Sequence, residues 1–154
     1  MSSHHVEIDA LYHGPDWTPR PEFLNDVKKL VETPSWTTEW QYDSARATLV
    51  AHADLLVWLD LPFVRVTLPQ LVKRTLRRRL TSEELWNGNT EPPLRTIFTD
   101  REHIIRWGFQ TRNKYRTSVP AVERESPHLT VVRLRSRSET VRWLDGPLAA
   151  SLQL

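Results

Sequence analysis

The chain contains no cysteine, which excludes disulfide frameworks, thiolate metal sites and cysteine nucleophiles. Glycine is scarce: Gly14, Gly88, Gly108 and Gly146 are the only four, and they are too far apart to form a Gly-rich loop. Lysine is scarce as well, and none of Lys28, Lys29, Lys73 and Lys114 stands in G-K-[ST]. A P-loop cradles phosphates and Mg²⁺ with backbone N–H groups, a lysine and a Ser/Thr hydroxyl, so this sequence carries none of that machinery. No apolar run approaches the roughly 20 residues that span a bilayer. The opening Met1-Ser2-Ser3-His4-His5 lacks the basic and apolar regions of a signal peptide. A cytoplasmic protein without membrane contact is the expectation. There is no G-x-S-x-G elbow, which weakens a hydrolase reading, and no histidine pair has zinc-site spacing.

What is present suits one folded domain over 1–154: 39% hydrophobic and 26% charged residues, a balance unlike that of disordered chains. The net charge of +2 hides an asymmetry, since residues 1–60 carry −6 and residues 61–154 carry +8. An Arg-rich, cationic half suits a polyanion such as nucleotide phosphates or nucleic acid, although any single arginine fits a solvated helix face equally well. The seven tryptophans are expected in the core or lining a groove.

Along the chain, Val6-Glu7-Ile8 reads as a short strand followed by Asp9, and 13–19 as a loop rich in Gly and Pro. Phe23, Leu24, Val27, Leu30 and Val31 recur at helical spacing, which predicts a helix over 20–32 with Pro21 at its first position. Trp36-Thr37-Thr38-Glu39-Trp40 reads as a strand. Asp43 or Ser44 is placed to cap a helix to about His52. Leu55-Leu56-Val57-Trp58-Leu59 is the clearest strand, continuously apolar as in a parallel strand covered on both faces. A helix is expected from Phe63 to Leu80, broken or kinked at Pro69. Thr81 and Glu84 have capping-box spacing for a short helix, and so do Ser136 and Glu139 before a helix with Val141, Trp143 and Leu144. Between them a helix is expected from Arg101 to about Tyr115, then a strand at 129–134. Strands alternating with helices predict a layered α/β fold with a parallel sheet.

Ligands of such sheets bind outside the carboxyl ends of the strands, where Asp9, Glu39 and Asp60 are expected. Asp9 and Glu39 could share one crevice, holding a Mg²⁺ shell or accepting a proton from a hydroxyl substrate; the plainer alternative is a cap or turn acid. Asp60 reads as structural. Arg46 could hold a phosphate bidentately or pair with Asp43 at three-residue spacing. Arg74, Arg77, Arg78 and Arg79, with Arg112, Lys114 and Arg116, form two basic clusters suited to clamping phosphate. Spacing does not rank Arg78 or Arg112 above their neighbours. Tryptophan and arginine can stack on bases, yet no recognised nucleic-acid motif is present.

Four ordered pieces carry a resemblance. They are Asp9-Ala10-Leu11 with Gly14-Pro15-Asp16-Trp17-Thr18-Pro19; Trp36-Thr37-Thr38-Glu39-Trp40-Gln41-Tyr42; Trp58-Leu59-Asp60-Leu61-Pro62; and Arg74-Thr75-Leu76-Arg77-Arg78 leading to Glu84-Leu85-Trp86-Asn87-Gly88-Asn89. Together they resemble the bacterial adenylate-kinase-like P-loop proteins, of the AAA-family ATPase or DNA topology modulation type, over essentially the whole chain. The resemblance implies a three-layer α/β fold and phosphoryl transfer from ATP with Mg²⁺ to an unidentified small-molecule acceptor. It places Asp9, Arg46 and Trp17 on the acceptor side and Glu39 near Mg²⁺, where relatives have Asp-Gly-Asn rather than Glu39-Trp40-Gln41. Arg78 and Arg79 would flank a lid at about 80–100, Arg112 would close on it, and the loop at Arg135 to Arg137 would border the base.

The family begins with a strand, a Walker A loop and a helix of roughly 30 residues, and here the matching region starts at about His5. The strand so lost is the central one, between those expected at 36–39 and 55–59. Its loss would leave two half-sheets with open backbone edges. The leading expectation is therefore a phosphotransferase-like domain that, as written, binds ATP weakly or not at all. The alternatives are an Arg-rich nucleic-acid-binding module without catalysis and a domain completed by a strand from another chain.

Overall fold

A computed structural model describes residues 4–81, 84–89, 111 and 113–151. The chain is mixed α/β and divides into two compact units, Met1–Asp54 with Arg78–Glu91, and Leu55–Arg77 with Pro92–Leu154. Among the described residues no helix is long and apolar enough to cross a membrane.

In the first unit, β1 (His4–His5) pairs in parallel with β2 (Trp36–Thr37), His4 opposite Trp36. Three helices accompany them: α1 (Ile8–Tyr12), α2 (Phe23–Val31) and α3 (Asp43–His52). On α2, Phe23, Val27, Leu30 and Val31 are buried, the i, i+4, i+7, i+8 stripe of an amphipathic helix. Phe23, Val27 and Val31 form one core with Ile8, Ala45 and Leu49, edged by Tyr12, Trp36, Trp40 and Tyr42. Burying one such aliphatic side chain contributes about 1.5–3 kcal/mol. Leu24, also at helical spacing, faces outward.

Three boundaries differ from the sequence reading. The strand expected at 6–8 ends at His5, and Ile8 begins α1, because the Ile8 N–H finds an acceptor in the Glu39 carboxylate, 2.9 Å away and 31 residues on. Pro21 sits in the turn before α2, and Asp43 is the first residue of α3 rather than its cap, which is Tyr42.

In the second unit, β3 (Leu55–Leu59) pairs in parallel with β4 (Thr130–Leu134), Leu55 opposite Thr130 through Leu59 opposite Leu134. After β3 comes a wide helical turn, Phe63–Thr67, then α4 (Leu68–Leu80), with Pro69 in the first turn where its missing N–H costs nothing. A helix α5 (Lys114–Glu125) precedes β4, and α6 (Arg137–Trp143) follows it. The second capping box forms at the start of α6: the Ser136 hydroxyl accepts the Glu139 N–H at 3.2 Å, and the Glu139 carboxylate accepts the Arg135 N–H at 2.6 Å. Residues 82–83 of the first lie outside the described residues; the Thr81 hydroxyl reaches the Arg78 carbonyl, and Trp86–Gly88 is a short 3₁₀ piece. Residues 101–110 of the helix expected at 101–115 lie outside the described residues, as does most of the expected lid at 80–100.

β3 is not covered on both faces. Leu55, Val57 and Leu59 alternate outward at 41%, 36% and 54% exposure, while across the pair Leu134 is buried. Among the described residues the strands form two two-stranded parallel sheets, one in each unit.

Candidate functional site

Asp9 lies in the first turn of α1. Its Oδ1 accepts two hydrogen bonds from residues more than thirty positions away, Gln41 Nε2 at 2.7 Å and Tyr42 Oη at 2.6 Å. The second oxygen of Asp9 has no partner among the described residues. The carboxylate is thus fixed in orientation by one oxygen and left with acceptor capacity on the other.

Tyr42 is the hinge of this cluster. Its ring stacks on Tyr12 at 3.9 Å and meets the edge of Phe23. Burial, and after it the hydrogen bond to Asp9 and the Asp9 charge, push the phenol well above its ordinary range, with smaller contributions from Tyr12 and Glu39. The phenol keeps its single proton and donates it in a hydrogen bond to Asp9. His13 Nε2, 3.1 Å from Tyr42 Oη, then carries the hydrogen of that contact. His13 Nδ1 faces the Trp17 carbonyl at 3.4 Å. A chain of hydrogen bonds therefore runs from His13 through Tyr42 to Asp9.

Trp17 is held by backbone geometry. Asp16 and Trp17 both take left-handed conformations, φ 55° and 58°, which cost non-glycine residues about 1–2 kcal/mol each. The surroundings impose them. The Trp17 N–H donates to Asn89 Oδ1 at 3.0 Å, and Asn89 Nδ2 donates to the Gly14 and Trp86 carbonyls at 2.9 and 2.8 Å. Asn87, also left-handed, donates to the His13 carbonyl at 2.5 Å, and the Trp86 indole N–H to Glu7 at 2.6 Å. Gly88 follows at φ +81°, a conformation that favours glycine. The 86–89 turn thus clamps the 13–17 loop that carries His13 and Trp17.

Glu39 stands two residues beyond β2 and spends both oxygens: Oε2 accepts the Ile8 N–H, and Oε1 lies 3.3 Å from His5 Nε2. It caps α1 from a distance, the plainer of its two readings. No group of three or more His, Asp or Glu among the described residues could hold a metal ion.

Arg46 takes the ion-pair reading. It reaches Asp43 at 2.8 Å and the Gln41 carbonyl at 3.0 Å, and lies over the Trp40 ring at 4.5 Å. Its side chain is only 13% exposed, so its fork braces the strand-to-helix corner that presents Gln41 and Tyr42. Arg78 is half-buried with its guanidinium over Trp86 at 5.9 Å, and Arg79 beside it is exposed. Asp60 is structural, gripped by Arg133 through two nitrogens and by Arg116 at 3.5 Å. Arg137 opens α6 in the second unit and is exposed. Arg112 lies outside the described residues. The six tryptophans among the described residues are all half-buried, as groove or core-edge residues are.

No family model, no curated protein and no solved structure matches this chain.

Of the residues expected from the sequence, Asp9, Trp17, Glu39, Arg46, Arg78 and Arg79 fall in the first unit. Asp9 and Trp17 join the cluster, and Glu39 and Arg46 support it. Gln41, Tyr42, His13 and Asn89 were not singled out by sequence. Gln41 and Tyr42 close the second resembling piece and the 86–89 turn ends the fourth, but nothing in their spacing announces that they meet Asp9 or Trp17.

Proposed function

We propose that this chain is a phosphotransferase-like domain of the adenylate-kinase-like P-loop type, that its acceptor-side elements form the first unit, and that the chain as written does not bind ATP or transfer phosphate. The observation that carries the reading is that Asp9 of the first resembling piece is held through one oxygen by Gln41 and Tyr42 of the second. The absence of any Gly-rich loop or G-K-[ST] supports the second half of the proposal. On this reading Asp9 is the acceptor-side base. Its free oxygen takes a hydrogen bond from the substrate hydroxyl, while Tyr42 and Gln41 hold the carboxylate still and Trp17 borders the substrate. Catalysis of this type is positioning and charge stabilisation, and the positioning half is what the His13–Tyr42–Asp9 chain supplies. The three-layer sheet, with ATP and Mg²⁺, would need the strand, loop and helix that this sequence does not contain.

The test is to isolate the protein from its own source, weigh it and titrate it with Mg·ATP by calorimetry. A species about 3 kDa above 18.1 kDa, corresponding to roughly 30 further residues, that binds ATP would support the reading. The 18.1 kDa chain is expected to show no micromolar binding, and micromolar affinity there would overturn the second half of the proposal. A native mass of 18.1 kDa in a monomer would remove the phosphotransferase reading.

A further inference from the structure

The 86–89 turn grips the 13–17 loop partly through the side-chain amide of Asn87. The chain has four asparagines, Asn25, Asn87, Asn89 and Asn113, and only Asn87 precedes a glycine. The turn calls for that pair. Asn87 lies at φ 56° and Gly88 at φ +81°, and the Asn89 N–H donates to the Trp86 carbonyl at 3.2 Å. Two successive residues at positive φ inside such a turn make it type I′, where Asn-Gly is favoured.

The pair that suits the turn is also the one most open to deamidation. The backbone nitrogen of a following residue can attack the side-chain carbonyl carbon of asparagine. The new N–C bond closes a five-membered succinimide, the N–H proton passes to solvent, and the side-chain nitrogen leaves as ammonia. Water then opens the ring at either carbonyl and leaves aspartate or isoaspartate. A side chain on the attacking residue hinders closure, and glycine has none. Asn87 and Gly88 are both exposed, and a Cβ placed on Gly88 would meet only Glu84 Oε1 at 3.8 Å, so water reaches the reacting atoms. The other three are less suited. Asn89 is 5% exposed and precedes the β-branched Thr90, Asn25 lies inside α2, and Asn113 precedes Lys114.

The product does not fit the clamp. Asn87 Nδ2 donates to the His13 carbonyl at 2.5 Å and reaches the Ala10 carbonyl of α1 at 3.4 Å. Deamidation puts an oxygen in place of that nitrogen. A carboxylate only accepts hydrogen bonds, so it would face two carbonyl oxygens with no hydrogen between them, and a bond is replaced by repulsion. Isoaspartate also inserts a methylene into the backbone of the turn. Only the Asn89 bonds to Gly14 and Trp17 and the Trp86 bond to Glu7 then tie the turn to the loop and α1.

We propose that Asn87 is a hydrolytic latch: deamidation at Asn87-Gly88 irreversibly loosens the 13–17 loop from the 86–89 turn. This does not depend on phosphoryl transfer.

The experiment ages the full chain at mildly alkaline pH and follows each asparagine by peptide mass, which rises by about 1 Da on conversion. The first gain is expected at Asn87. Hydrogen exchange is then measured on the converted fraction, separated by ion exchange, and on Asn87→Asp. Aspartate tolerates the left-handed conformation as asparagine does, so this variant removes the donor and leaves the turn geometry. Amides of residues 13–20 should exchange roughly two- to tenfold faster, as the loss of one hydrogen bond permits, with α2 and α3 unchanged. Earlier gain at Asn25, Asn89 or Asn113 would overturn the proposal. So would no gain at Asn87 over the time in which the urea-unfolded chain converts completely, or unchanged exchange at 13–20 in Asn87→Asp. An equal rise across α2 and α3 would overturn it too, since that is general unfolding rather than an opened clamp.

Discussion

Replacing Tyr42 by Phe tests the hydrogen-bonded chain at its centre with little other disturbance. The ring stays, and with it the stacking on Tyr12 at 3.9 Å and the edge contact with Phe23. Only the hydroxyl goes. Asp9 Oδ1 then loses its 2.6 Å donor and keeps only Gln41, and His13 Nε2 loses its acceptor. A hydrogen bond to a charged group contributes about 1.5–3 kcal/mol. The cluster is partly open to water, so the lower part of that range, about 1.5–2 kcal/mol, is expected in urea unfolding at pH 7.

The pH dependence gives a second, independent signature. Tyr42 has its pKa raised in the folded protein. Below pH 10 the phenol is protonated in both folded and unfolded chains, and its contribution is complete. Above pH 10 the unfolded chain releases the proton first, so the wild-type protein loses stability by at most about 1.4 kcal/mol per pH unit from this residue. The Phe variant lacks that loss. The gap between the two proteins should be constant from about pH 6 to 9.5 and should narrow above 10. A gap below about 0.5 kcal/mol at pH 7, or parallel curves up to pH 11, would refute the assignment of Tyr42 as the donor that fixes Asp9.

Asn89→Ala removes two hydrogen bonds that tie the 86–89 turn to Gly14 and Trp17 and a third within the turn, to the Trp86 carbonyl. It should cost about 1–3 kcal/mol, and tryptophan fluorescence should shift as Trp17 and Trp86 move apart from their edge contact at 6.3 Å. Ser136→Ala deletes the cap of α6 and should cost about 1 kcal/mol by chemical denaturation, whereas Ser136→Asp should restore it.

The Phe23–Val31 helix, the β3 strand and the Ser136 cap were legible because each follows from neighbours within a turn or a strand. Apolar spacing fixes which face of α2 is buried, and a hydroxyl three residues before a carboxylate satisfies an orphan N–H locally. The short strand expected at 6–8 failed for the opposite reason. The Glu39 carboxylate, 31 residues on, supplies an acceptor to the Ile8 N–H, and a helix starts where extended chain was expected.

The candidate site divides in the same way. Sequence marked Asp9 as a carboxylate of interest and Trp17 as part of a turn-rich loop, and composition alone ruled out a thiolate, a P-loop and a lysine cradle. Sequence also allowed two readings each for Glu39 and Arg46, and it could not choose. Tertiary contacts supply the partners of the plainer reading in each case. Glu39 is consumed by Ile8 and His5, and Arg46 by Asp43, the Gln41 carbonyl and Trp40. Apart from α1, local pattern determined which of the main segments are helix or strand, because backbone preference and burial periodicity act within a few residues. Which carboxylate is left with a free oxygen was decided only when the fold brought distant donors to it, because a hydrogen bond across 30 or 70 residues leaves no periodic trace in the sequence.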